Sequence, residues 1–206
     1  MSEADFFSDE AKQATRAAVV SAEARTCAEI VVAVRKSSGR YGVLAYHCGL
    51  AVSALVVGYL LIAPEVYSAF AIAFDAIAAF ALGALLAANL DTVKRALSRA
   101  ATLDENVNRG ARAAFFDLGI SRTSGRHGLL VYASMFERRC VLLPDIGIEP
   151  ARLGSSWVAS QAELAQAVRR RDLAAFQRAV AGLGAQLCSA HPRTENDVNE
   201  LPDEVQ

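Results

Sequence analysis

Two apolar runs constrain this chain more than any other feature. From Tyr41 to Pro64 there is no Asp, Glu, Lys or Arg, and from Val66 to Leu90 there is one, Asp75. Each run meets the ~20 apolar residues needed to cross a hydrocarbon core of ~30 Å at about 1.5 Å per residue. The link Ala63-Pro64-Glu65-Val66 is too short for a domain, so it turns the chain back and both ends emerge on one side. The competing arrangement, a helical hairpin inside a soluble core, needs apolar partners on all sides. The rest of the sequence has too little apolar surface to supply them. Residues 41–90 are therefore predicted to be a transmembrane helical hairpin.

The flanks predict orientation. Arg25, Arg35, Lys36 and Arg40 precede the first run, Lys94, Arg95 and Arg99 follow the second, and the turn offers only Glu65. Seven bases against none is a positive-inside bias that places both flanks, and with them both termini, in the cytoplasm. Tyr41, Tyr46, Tyr59 and Tyr67 are candidate interfacial anchors. The acid-bearing stretch from Met1 to Thr26 has no apolar core and does not read as a signal peptide. A carboxylate at mid-membrane costs ~2.5–3.5 kcal/mol on insertion scales. Asp75 is thus expected to face a partner, with the hydroxyl of Ser53 or Tyr59 level with it. Helix–helix adhesion, within the hairpin or between copies of the chain, is the expected role, ahead of a proton relay.

Outside the hairpin the sequence reads as a small α/β domain in two parts, residues 1–40 and 91–192, followed by an acidic tail, 193–206. Ser8 with Asp9 and Glu10 marks a helix start, and Ala11, Ala14, Ala18 and Ala22 carry the helix to about residue 24. Ala28–Val34 is a compact β-branched run, a buried strand. A break is predicted near Thr102–Asn106 with Asp104 as cap. A helical stripe of Val107, Ala111, Ala114, Phe115 and Leu118 follows, closed by Gly119. Gly128–Met135 and Arg139–Leu143 form a strand hairpin around Phe136–Arg138. Trp157, Gln161, Leu164 and Val168 mark one further helix, and Leu173, Phe176, Val180, Leu183 and Leu187 another. Arg169-Arg170-Arg171 between them fits a helix C-terminus, or contact with anionic lipid. A strand–helix–strand connection favours a right-handed parallel crossover, so the first two strands are expected to be parallel and the third antiparallel to the second.

Net charge is -1, which gives no reason to expect a nucleic acid partner. Cys27, Cys48, Cys140 and Cys188 lie 21, 92 and 48 positions apart. No CxxC pair exists and Cys188-Ser189-Ala190-His191 is an isolated CxxH, so the spacing predicts reduced structural thiols and no zinc site. His47, His127 and His191 are likewise far apart in sequence.

At this point the residues resemble a known family. Ala22-Glu23-Ala24-Arg25-Thr26-Cys27-Ala28-Glu29-Ile30-Val31-Val32 is similar to the "AE.RT..EI.V" entry of TPM-domain proteins. Ala113–Thr123 and Gly128–Arg138, followed by Asp145-Ile146-Gly147-Ile148, resemble their second half. Asn199-Glu200-Leu201-Pro202-Asp203 resembles the "NELPD" of a bacterial membrane subgroup with two spans between the halves. That subgroup has Ser-Gly where this chain has Cys27-Ala28. The resemblance implies a small three-stranded mixed sheet flanked by helices, interrupted by the transmembrane hairpin, in the bacterial inner membrane. It leaves chemistry open, since TPM relatives include acid phosphatases, calcium binders and assembly or receptor-auxiliary factors.

The strand order predicts one candidate site, where the N-terminal ends of the two parallel strands meet the C-terminal end of the third. That edge gathers Glu29 and Asp145 as ligands for Ca2+ or another divalent cation, and Arg25, Arg122 and Arg126 as anion-binding groups. An ion-pair network holding loops to the sheet is the alternative use of the same residues. No DxDx[TV] or Cx5R loop is present. The expected function is a membrane-anchored module that binds or assembles other membrane proteins, with homo-oligomerisation through the hairpin. The alternative is a metal-dependent phosphatase at the cytoplasmic membrane face.

Overall fold

The computed structural model describes residues 3–193 together with 200, 201 and 205. The chain divides into two units, Met1–Ser38 with Asp104–Gln206, and Gly39–Leu103. The hairpin's unit thus includes residues 91–103, which the sequence assigned to the α/β domain.

In the first unit, helix α1 (Asp9–Glu23) starts at Ser8, whose hydroxyl accepts the Ala11 N–H at 3.1 Å. Strand β1 (Glu29–Arg35) follows. Helix α5 (Ala100–Asp117) ends at Gly119, whose left-handed φ of 67° reverses the chain as its lack of a Cβ permits. Strands β2 (Gly128–Ser134) and β3 (Arg139–Pro144) come next, then helices α6 (Pro150–Arg170) and α7 (Leu173–Leu187). Arg169 and Arg170 fill the last turn of α6, and Arg171 at φ 56° closes it, so the basic run does sit at a helix C-terminus.

The sheet order is β1-β2-β3, with β1 parallel to β2 and β2 antiparallel to β3. The mixed three-stranded sheet is as the strand pattern predicts. Alternation divides its two faces. Ile30, Val32, Val34, Leu129, Val131 and Leu142 pack with α1, α6 and α7 through Val19, Trp157, Leu164, Phe176, Val180 and Leu183. Val31, Ala33, Leu130 and Tyr132 pack with α5 through Val107, Ala111 and Ala114. Helices on both faces explain why β1 and β2 are apolar at nearly every position.

One boundary is corrected. No break occurs near Thr102–Asn106: α5 runs unbroken from Ala100, and Asp104 lies inside it, accepting a bond from Arg139 Nε at 2.6 Å. The interruption falls earlier, around a short helix α4 (Asp91–Leu97) ending at Ser98. Asp104 is a good N-cap residue in isolation, but a cation from β3 supplies its partner instead.

At the far edge of the sheet, Glu137 is fully buried. Its carboxylate accepts bonds from the Ser38 N–H (2.8 Å), the Ser134 hydroxyl (2.5 Å) and the Ser37 hydroxyl (3.3 Å). Ser38 donates in turn to Ser134 at 2.8 Å, and its hydroxyl pairs with the Tyr132 hydroxyl at 2.9 Å. The chain leaving β1 is thereby tied to β2.

The second unit holds helices α2 (Gly42–Ile62) and α3 (Ala69–Asn89), joined by residues 63–68. They approach closely because Gly49 and Gly83 meet. A Cβ at Gly83 would lie 3.2 Å from the Gly49 Cα and 2.9 Å from a Val52 methyl, while one at Gly49 would lie 2.7 Å from the Phe80 carbonyl. Small residues at such a seam let two backbones pack. The expected Ser53–Asp75 bond does not form, because the Ser53 hydroxyl donates to the Ala76 carbonyl at 2.9 Å. Tyr59 is 67% exposed.

Candidate functional site

The predicted edge is built as the strand order requires. Glu29 stands opposite Gly128, and Leu129 opposite Pro144, so the starts of β1 and β2 meet the end of β3. The Asp145 N–H donates to the Gly128 carbonyl at 2.8 Å, and the Glu29 N–H to the His127 carbonyl at 3.2 Å.

Arg126 and Asp145 form a two-pronged pair, Nε to Oδ2 at 2.6 Å and Nη2 to Oδ1 at 2.9 Å. Asp145 also accepts the Ile146 N–H at 2.8 Å. The guanidinium holds the Asp145 carboxyl below the usual carboxylate range, outweighing its burial. Both predicted roles are therefore engaged. For Asp145 to ligate a hard cation it would have to release Arg126, and for Arg126 to bind an anion it would have to release Asp145. Glu29 is buried, and its Oε2 accepts the Leu201 N–H at 3.3 Å. Arg25 is exposed, and the Arg122 side chain runs along Gly119. Around Arg126 and Asp145 the structure thus favours the ion-pair reading of this edge.

The C-terminal segment reaches the same edge. The Glu200 carboxylate accepts the Ser124 N–H at 2.7 Å and the Ser124 hydroxyl at 2.5 Å, and these bonds hold its carboxyl below the ordinary value. Leu201 packs beside the α5 face of the core. Glu195, Asp197, Asp203 and Glu204 of the acidic tail lie outside the described residues.

A grouping that sequence spacing does not suggest lies beside this network. The ligand atoms of Cys27, His127 and His191 fall within 4.8 Å of one another. Cys27 Sγ is 3.8 Å from His127 Nδ1, and the two imidazole centroids are 4.5 Å apart. The residues come from the entry to β1, the entry to β2 and the turn after α7. Cys27 is a free thiol, as expected, and it also stands within ligand distance of two imidazoles. The Cys140 thiol packs against the core and is pushed up to about 12 by burial.

Backbone bonds hold the three segments together. The Cys27 N–H (3.2 Å) and the Thr26 hydroxyl (2.6 Å) both donate to the His191 carbonyl, and Thr26 pairs with Pro192 as a β-bridge. Glycines make room for the His127 ring: a Cβ at Gly125 would lie 2.7 Å from its Nδ1, and one at Gly147 would lie 2.6 Å from its Cδ2. Arg126, immediately before it, takes a left-handed φ of 54°, rare outside glycine and costing ~1–3 kcal/mol. The Gly147 N–H to Arg126 carbonyl bond, 2.9 Å, helps to hold that turn. Burial, assisted by the charges of His127 and Arg152 against the opposing Glu149, lowers the His191 pKa, which favours the neutral imidazole at pH 7. Among the described residues, Cys27, His127 and His191 form a thiol–imidazole trio of metal-ligating type, and neither Glu29 nor Asp145 belongs to it.

No family model matches the chain, and no curated protein matches it. Among solved structures, the fold is similar to the NMR structure of the BA42 protein from the psychrophilic bacterium Bizionia argentinensis. The identity is 16%, covering 96% of this chain and 92% of that one, with a TM-score of 0.57. At that identity the likeness concerns the fold alone.

Proposed function

We propose that this chain is a two-pass protein of the bacterial inner membrane, carrying a TPM-like α/β domain at the cytoplasmic face. There the domain binds or helps to assemble other membrane components. One observation carries the membrane part of this reading. The side chains of α2 and α3 point apolar groups outward, with Leu55 74%, Ile62 86%, Phe70 84% and Ile77 71% exposed. Only 11% of the most apolar window of each helix is buried. Contiguous apolar area of this extent is costly in water and matched by lipid. The basic residues flanking both helices, against a lone Glu65 in the turn, support cytoplasmic termini.

Fractionation tests this reading. The protein should sediment with membranes, stay there through alkaline carbonate washing, and give fluorescence from a C-terminal GFP fusion. Folded, monodisperse protein in the supernatant of a detergent-free lysate would overturn it. A second reading, a metal-dependent phosphatase at the same face, is favoured by the thiol–imidazole trio one residue from Arg126. Hydrolysis of p-nitrophenyl phosphate that depends on added metal and disappears in His127→Ala is its expected signature.

A further inference from the structure

We infer that Cys27, His127 and His191 form a binding site for a single zinc-class divalent ion, held by one thiolate and two imidazoles. The inference is independent of the membrane reading and of phosphatase activity, because every contact it uses lies within the α/β domain. Zn–S bonds of ~2.3 Å and Zn–N bonds of ~2.0–2.1 Å at tetrahedral angles put ligand atoms about 3.3–3.6 Å apart. The observed 3.8 Å between Cys27 Sγ and His127 Nδ1, with all three ligand atoms inside 4.8 Å, needs rotamer adjustments of an ångström or so. The supporting shell already exists: bonds to the His191 carbonyl fix the Cys27 loop, and Gly125 and Gly147 leave space for the His127 ring.

Ligand chemistry decides the class of ion. Sulfur and imidazole select zinc and its neighbours, whereas calcium takes oxygen ligands throughout. The carboxylates next to the trio have other partners: Asp145 holds Arg126, and Glu29 accepts the Leu201 amide. Three protein ligands leave a fourth position for water, the arrangement of open rather than purely structural zinc sites. On binding, the Cys27 thiol gives its proton to solvent and a sulfur–metal bond forms in its place, with no change of oxidation state. Affinity should therefore weaken as pH falls.

The test uses the full chain in mild detergent, stripped of metal and titrated with Co2+ and then Zn2+. The expected result is a thiolate-to-cobalt charge-transfer band and tetrahedral visible bands saturating at one ion per chain, displaced by Zn2+ and not by excess Ca2+. Cys27→Ser, His127→Ala and His191→Ala should each weaken zinc binding by about 100-fold or more, since even loss of an outer-shell partner costs 10–100-fold. Cys188→Ser should leave it unchanged. A measurement on the unaltered sequence guards against misfolded variants: zinc should slow alkylation of Cys27, read by mass spectrometry, and leave that of Cys188 untouched. Absence of the charge-transfer band together with equal alkylation of Cys27 with and without zinc would overturn the site.

Discussion

Replacing Glu137 tests whether the polar network at the far sheet edge secures the domain. The carboxylate is fully buried and is the acceptor for two well-formed bonds, from the Ser38 N–H at 2.8 Å and the Ser134 hydroxyl at 2.5 Å. Glu137→Ala leaves the buried Ser134 hydroxyl and the partly buried Ser38 N–H without this acceptor. A buried donor left without an acceptor costs ~1–3 kcal/mol and a partly hydrated one less, so the variant should lose about 3 kcal/mol, a large share of the ~5–15 kcal/mol typical of a domain. Glu137→Gln should lose less. Its remaining carbonyl oxygen still accepts the Ser38 N–H, while its amide forces the Ser134–Ser38–Tyr132 hydroxyl chain to reverse direction, leaving about half the penalty. The assay is urea unfolding in mild detergent, followed by fluorescence of Trp157. It is the sole tryptophan and lies in the core between α6 and the sheet. Loss of under about 1 kcal/mol in Glu137→Ala, or a Gln variant as weak as the Ala one, would refute the hydrogen-bond account.

Three further outcomes follow from the geometry. Arg126 depresses the Asp145 carboxyl, so the stabilisation from that pair is fully present above the unfolded carboxyl value of about 3.9 and is lost as pH falls through the lower folded value; urea midpoints of the native sequence and Asp145→Asn should converge as pH drops below about 4, and a gap that stays constant would contradict the pairing. Gly147→Ala puts a Cβ 2.5 Å from the Arg126 carbonyl and 2.6 Å from the His127 ring, so it should destabilise the loop by about 1–3 kcal/mol, measured by the same unfolding, and weaken cobalt binding. Gly83→Leu should force α2 and α3 apart, read as loss of crosslinking between cysteines placed across the hairpin, while Gly58→Leu, where a Cβ meets nothing within 4 Å, should leave crosslinking intact.

The parts of the fold set by local pattern were legible in the sequence. The two apolar runs became α2 and α3, and the β-branched runs became β1 and β2, with strand ends shifted by a residue. Gly119 ends α5 because the helix needs a left-handed residue there. Chain order alone predicted parallel pairing of β1 with β2 and the edge where Glu29 and Asp145 meet. What local pattern missed depends on distant partners. Asp104 looks like a cap until Arg139 arrives from β3, and Glu137 looks like a turn residue until Ser37 and Ser38 close over it. Cys27, His127 and His191 come from three separate loops, and no spacing rule links them.

The parallel pairing of β1 with β2 has a consequence for how the molecule is made. Ninety-two residues, 36–127, separate the last residue of β1 from the first of β2, and the whole helical hairpin lies among them. At ~5–20 residues per second of synthesis, β1 leaves the ribosome roughly 5–20 s before its neighbour exists. During that interval a strand with six buried positions has no edge to join, while α2 and α3 already hold everything they need to pair. Chain order thus lets the hairpin pair before the sheet can close.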